Sequence, residues 1–160
     1  MQIYLLRHGI AEDAAPGHPD SERALTSEGK EKLRRVMKRA RAAGVSLSLM
    51  LSSPYKRAVE TADIAADVLG YKGKILRTKA LVPNASPHDT WDEIRACQDE
   101  SAILLASHEP LMSSLAAMLL NSPSLAIDMK KAALVRVDCE SIAAHPRCIL
   151  KWMMVPAVAE

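Results

Sequence analysis

Three short segments carry the side chains best suited to chemistry on an anion: Leu6-Arg7-His8-Gly9, Ser52-Ser53-Pro54-Tyr55-Lys56-Arg57-Ala58 and Ser107-His108-Glu109-Pro110. Between them they offer two histidines and two arginines whose chemistry suits phosphoryl transfer. A phosphoryl group in transfer is a spread anion, stabilised chiefly by positioning and by fixed positive charge. Arginine presents a planar fork that matches two phosphate oxygens and keeps its charge. Histidine is a nucleophile only when neutral, and its ordinary pKa of ~6.5 makes that form available near neutrality. Neighbouring arginines are expected to lower it further. Gly9 would let the backbone approach a ligand, with its amide joining a phosphate nest. The second histidine, protonated, would donate to the moving oxygens.

Such a set works only if the fold brings the three segments together. Gln2–Leu6 reads as a short strand buried on both faces. From Thr26, Leu33, Val36, Met37 and Ala40 repeat at helical spacing, and Gly44 ends that helix. Leu47–Leu51 predicts a second strand. Ser53-Pro54 then predicts a cap and first-turn proline for a helix closed by Gly70, with Arg57 at its fourth position. Lys74–Arg77 and Ala102–Ala106 read as further strands, with a helix opened by Ser86-Pro87 between them. A helix over Leu111–Leu120 follows, and Ala133–Asp138 and Cys148–Met154 read as a late hairpin. Alternating strands and helices imply a three-layer α/β/α sandwich with a mostly parallel sheet, its last strands antiparallel. Ligands in such folds sit beyond the carboxyl ends of the strands, where all three segments fall.

Composition limits the alternatives. The 160 residues suit a single domain, 49% are hydrophobic, and 21 basic against 19 acidic residues leave a net charge of +2. That balance, with two Trp, three Tyr and no Phe, argues against a nucleic-acid or acidic-membrane binder. Cys97, Cys139 and Cys148 are odd in number and form no CxxC pair, which predicts neither a disulfide framework nor a zinc site. No apolar run reaches the ~18 residues of a spanning helix, and a cytoplasmic protein is expected. Arg34, Arg35, Lys38 and Arg39 form a basic run that reads as a solvated helix face, with docking of an acidic partner as the alternative. His18, His88 and His145 read as ordinary surface residues, and Met112, Met118, Met153 and Met154 as core filler.

The same residues carry a family resemblance. Leu6-Arg7-His8-Gly9 resembles the signature of the histidine phosphatase, or phosphoglycerate mutase-like, superfamily. Ser52-Ser53-Pro54-x-x-Arg57-Ala58-x-x-Thr61-Ala62 is similar to its second block and Ser107-His108 to its third. Arg23-Ala24-Leu25-Thr26-x-x-Gly29 is similar to a segment of the short phosphohistidine phosphatases of the SixA type. The resemblance spans 1–160 as one domain. It implies that His8 becomes phosphorylated, that Arg7, Arg57 and His108 bind phosphoryl oxygens, and that Arg23 adds a substrate contact. No metal and no other cofactor is implied.

Larger members place a carboxylate after the third strand to protonate an alkoxide leaving group. Here that stretch, Thr78-Lys79-Ala80-Leu81-Val82-Pro83-Asn84, holds no acid. Asp89, Asp92 and Glu93 follow on a helix, and Glu12 and Asp13 lie in the loop after the signature. A missing acid and a short chain point to phosphohistidine on a protein, such as a histidine-containing phosphotransfer domain, acted on by a monomer. Small phosphomonoesters are the alternative substrate, a non-catalytic phosphate-binding module is a third reading, and a mutase fits least.

Overall fold

The computed structural model describes residues 1–159. Six strands form one sheet: β1 (Gln2–Arg7), β2 (Leu49–Ser52), β3 (Ile75–Arg77), β4 (Ala102–Ser107), β5 (Leu134–Ser141) and β6 (Arg147–Met154). Their order is β3-β2-β4-β1-β5-β6. The first four are parallel, while β5 and β6 run antiparallel, as the late hairpin predicts. Four helices cover the sheet: α1 (Ser27–Ala42), α2 (Lys56–Leu69), α3 (Pro87–Ala96) and α4 (Leu111–Leu119).

Strand alternation splits the core into two apolar clusters. Tyr4, Leu6, Met50 and Leu104 face Leu33, Val36 and Met37 of α1 and Ala62 and Ala65 of α2. Ile3, Leu5, Ile103 and Leu105 face Trp91 and Ile94 of α3 and Leu111, Met112 and Leu115 of α4. The period-2 alternation along β1 and β4 assigns their side chains to the two faces. The helix after β1 therefore lies on one face and the helix after β4 on the other. The chain opens a crevice where those adjacent strands end.

Local signals account for most boundaries. Thr26 caps α1 by accepting from the Gly29 amide, and Ser86 caps α3 by accepting from the His88 amide. Gly70 ends α2 at φ 75°, a left-handed conformation natural to glycine. The start of α2 departs from expectation. Its N-cap is Tyr55, with no side-chain cap, so Arg57 is the second helical residue rather than the fourth.

The cysteines need a correction. Cys139 and Cys148 are joined in a disulfide and Cys97 is free. The hairpin register sets Cys139 directly opposite Cys148, a neighbourhood that a CxxC search does not register.

Gly29 has no room for a side chain, since an added Cβ would lie 2.2 Å from the Ile10 carbonyl oxygen. A backbone atom cannot swing aside. Gly29→Ala is therefore expected to cost about 2 kcal/mol or more, by analogy with overpacking. Urea unfolding of the variant checks this, and an unchanged midpoint would contradict it.

Candidate active site

The parallel register assembles the three segments. Arg7 of β1 pairs with Ser107 of β4, and Ser52 of β2 with Ala106. One residue further on, the His8 amide donates to the Ser107 carbonyl and the Ser53 amide to that of Ala106. His8, His108 and Ser53 thus leave three adjacent strands at one level. The imidazole rings of His8 and His108 stand 5.1 Å apart. Both are nearly enclosed, at 6% and 1% exposure, and Arg57 at 4% closes the group.

His8 is held with one nitrogen spent and the other presented. Its Nδ1 lies 2.7 Å from the Gly9 carbonyl oxygen, an acceptor that fixes the proton on Nδ1. The lone pair is then on Nε2, which Arg57 Nε meets at 3.3 Å. Burial, more than the cations, lowers the His8 pKa to about 4, although the Gly9 contact opposes the shift. Arg57, Arg7 and Lys131 lower it further. The sequence-based expectation named the arginines as the cause, whereas desolvation comes first. His108 is lowered to about 3 by burial, then by His8 and Arg57. It is therefore neutral in the free site rather than a standing cation. Its Nε2 sits 2.8 Å from Ser53 Oγ, while its buried Nδ1 has no hydrogen-bond partner in the protein.

Two more donors surround this group. Arg7 donates from Nη1 to the Met129 carbonyl oxygen at 2.6 Å, while its buried Nε has no protein partner. Arg57 donates from Nη1 to the Asp20 carbonyl at 2.8 Å and from Nη2 to the Asp20 carboxylate at 3.0 Å. Each Nη nitrogen carries a second N–H for an incoming oxygen. The Tyr55 ring packs 5.1 Å from both the Arg57 guanidinium and the His108 ring, wedging them in place.

Arg7, His8, Arg57 and His108 therefore converge, and the other expected groups fall differently. Arg23 reaches the site only through Asp20, to which its Nε donates at 2.9 Å, while Nη1 holds the Glu12 carbonyl. The Gly9 amide donates to Thr61 Oγ1 instead of facing a ligand. Glu93 accepts from the Thr78 hydroxyl and Asp92 pairs with Arg95, both away from the histidines. The sequence reading places no carboxylate here, yet Asp20 sits on Arg57, and Glu109 acts electrostatically on Arg7. Asp20, Ser53, Tyr55 and Lys131 were not assigned to the site. Only Ser53 and Tyr55 had a usable signal, since they lie between β2 and Arg57. Among the described residues, no three His, Cys, Asp or Glu side chains group to hold a metal. No helix among them is long and apolar enough to cross a membrane.

Comparison with known proteins agrees with this arrangement. A model of the histidine phosphatase superfamily, branch 1, matches residues 3–81. The phosphohistidine phosphatase SixA of Escherichia coli is 30% identical over 121 residues, 74% of each chain. The chain belongs to the histidine phosphatase superfamily. Its activity class is accordingly that of phosphatase hydrolases. An uncharacterised protein from a Picosynechococcus strain is 30% identical over 149 residues, covering 91% of this chain and 90% of its own. The superfamily fold extends to the structure of the protein histidine phosphatase SixA complexed with tungstate, at TM-score 0.88, 24% identity and full coverage of both chains. A mycobacterial glucosyl-3-phosphoglycerate phosphatase follows at TM-score 0.69 and 15% identity, over 94% of this chain and 96% of its own. The fold is thus the phosphoglycerate mutase-like α/β sandwich, SixA-like in extent.

A pH dependence follows from the buried imidazoles. Both have folded pKa values below the ~6.5 of an unfolded chain, so the unfolded state binds more protons at mildly acid pH. The stability they contribute is complete above about pH 6.5 and falls as the pH drops toward about 4 for His8 and about 3 for His108. For His8 the loss is on the order of 3 kcal/mol. NMR titration of the imidazoles is expected to find both neutral at pH 5.5. Midpoints near 6.5 would contradict the burial argument.

Proposed function

We propose that the chain hydrolyses phosphohistidine on a protein through a covalent phospho-His8 intermediate, as one domain and without a metal. The observation that carries this reading is the His8 ring itself, with Nδ1 bound to the Gly9 carbonyl and Nε2 presented beside Arg57. In the first step the Nε2 lone pair forms a bond to phosphorus as the substrate's P–N bond breaks. A phosphohistidine ring protonated on its other nitrogen leaves as neutral imidazole, so no acid from the enzyme is required. In the second step water attacks phospho-His8, giving phosphate and returning neutral His8.

Arg7, Arg57 and His108 bind the phosphoryl oxygens. The unpartnered Arg7 Nε and His108 Nδ1 supply donor positions, and an arriving dianion draws His108 toward its protonated, donating form. Gly9 acts through its carbonyl and Arg23 through Asp20. The active-site arginines stay charged throughout, so positive charge is fixed before the phosphoryl group moves. The test is phosphate release from a phosphorylated histidine-relay protein compared with a panel of small phosphomonoesters. A kcat/KM at least about a hundredfold in favour of the protein is expected, and preference for an ester would overturn the substrate assignment.

One observation favours a small ester as the second reading: the half-exposed Asp20 carboxylate beside Arg57 could protonate an alkoxide. Against it, the Arg57 and Arg23 guanidinium groups hold that carboxyl below its ordinary pKa despite some desolvation, which suits a positioning residue better than an acid. Asp20→Asn keeps a hydrogen-bond acceptor but removes the proton. If Asp20 positions Arg57, alkyl and aryl phosphates lose kcat to the same modest extent, within about tenfold. Selective loss on alkyl esters would instead identify an acid.

A further inference from the structure

A cavity of about 760 Å³ opens beside the histidine cluster, lined by five cations: Arg7, Lys32, Arg35, Lys130 and Lys131. No carboxylate lines it among the described residues, and its remaining walls are apolar, Ile10 and Pro156 among them. Arg7 belongs both to this cavity and to the candidate active site. The segment carrying Lys130 and Lys131 is pinned to the end of β1 at three points. Met129 accepts from Arg7 Nη1, Ala133 accepts from the Arg7 amide, and the Ala132 amide donates to the His8 carbonyl. The backbone that carries the two lysines is thus fixed against the end of β1, and Lys131 lies near enough to His8 to act on it electrostatically. Lys32 pairs with Glu28 at 2.5 Å and Lys130 with Asp128 at 2.6 Å. Surface pairs of this kind are weak and exchange readily for a better-placed anion. The fold gathers five positive side chains at this one cavity in a chain whose net charge is only +2.

We propose that this cavity is the docking site for an acidic segment of the phosphoprotein substrate, seated as the phosphohistidine enters beside Arg7. The inference rests on the phosphohistidine reading above. Charge complementarity selects the occupant: Asp and Glu side chains meet the lysines, and apolar stems meet Ile10 and Pro156. The volume exceeds what one phosphate fills, and no aromatic ring lines it to stack a nucleotide base. Docking here raises substrate affinity without adding a group to the chemical step, so its effect belongs in KM.

The test uses a Lys32→Glu/Lys130→Glu double variant, with Lys32→Gln/Lys130→Gln as a milder pair. Expected is about a tenfold rise in KM for a phosphorylated histidine-relay protein, with kcat unchanged and aryl phosphate turnover intact. High salt should erase most of the difference. In a second arm, hexaglutamate is titrated into the wild-type chain while backbone amide shifts are followed. Shifts at Lys32, Lys130 and Ala157 that vanish in the double variant support docking. An unchanged protein KM, or absence of peptide shifts at the cavity, overturns it. If the wild type turned over aryl phosphate but no phosphohistidine protein, the substrate reading would fail instead, and the peptide arm would decide the cavity alone.

Discussion

His8→Ala is expected to lower kcat on every phosphorylated substrate by on the order of 10⁴-fold or more, as loss of a covalent nucleophile does. The size follows from the geometry. His8 Nε2 is the imidazole nitrogen that keeps its lone pair once Gly9 holds Nδ1, and in the free site that lone pair accepts from Arg57 Nε. His108 is not expected to take its place, because its ring stands 5.1 Å away and its unpartnered Nδ1 is the position that donates to a phosphoryl oxygen. The neutral form is already in place at physiological pH, since burial depresses the pKa to about 4. The acid limb of kcat/KM that belongs to His8 is therefore expected near pH 4, below the ~6.5 of a free imidazole. Steady-state kinetics on the purified variant checks the first statement, and substantial residual turnover would remove His8 from the mechanism.

Arg57→Ala carries the second largest effect, a fall in kcat of roughly 10³-fold, in the range found for arginines that stabilise phosphoryl transfer. This guanidinium joins two parts of the site: its Nε meets His8, and its two Nη groups hold Asp20. Arg57→Lys is expected to recover little, because an ammonium cannot hold both partners in one plane. Asp20→Ala alone should cost about tenfold by letting the fork swing, and it should cost almost nothing when Arg57 is already alanine. Such non-additivity is the signature of one residue acting through another. Independent losses for the two would show that Asp20 has a separate role.

These expectations rest on features unevenly visible in the sequence. The strand-end placement of His8, Arg57 and His108 was legible because buried parallel strands announce themselves as short apolar runs, and their ends then fall in register. The helical stripes of α1 and α2 were legible from their i, i+3, i+4 apolar spacing, and the late hairpin from two strand-like runs joined by a polar loop. Asp20 was not, because it lies in a loop rich in proline and glycine with no periodicity to aim it. A single 3₁₀ turn at Asp20–Glu22 carries it to Arg57. Ser53 was read as a helix cap from its place before Pro54. In the structure its hydroxyl faces His108, and the helix starts two residues after Pro54. The Cys139–Cys148 pairing depended on the hairpin's register, which two strand-like runs and a polar loop leave open. The main source of the histidine pKa shifts was hidden too. Charge neighbours can be read along a chain, whereas burial depends on how closely the three segments pack.

The central claim is that phosphate passes through His8 on its way from a protein histidine to water. Rapid-quench kinetics tests it most directly, with a histidine-relay protein carrying radiolabelled phosphohistidine, an enzyme excess and an alkaline quench. The prediction is that label moves transiently onto this chain as phosphohistidine at His8 before it appears as free phosphate, and that His8→Ala shows neither. Release of labelled phosphate by the wild type with no label ever on His8 would contradict the account.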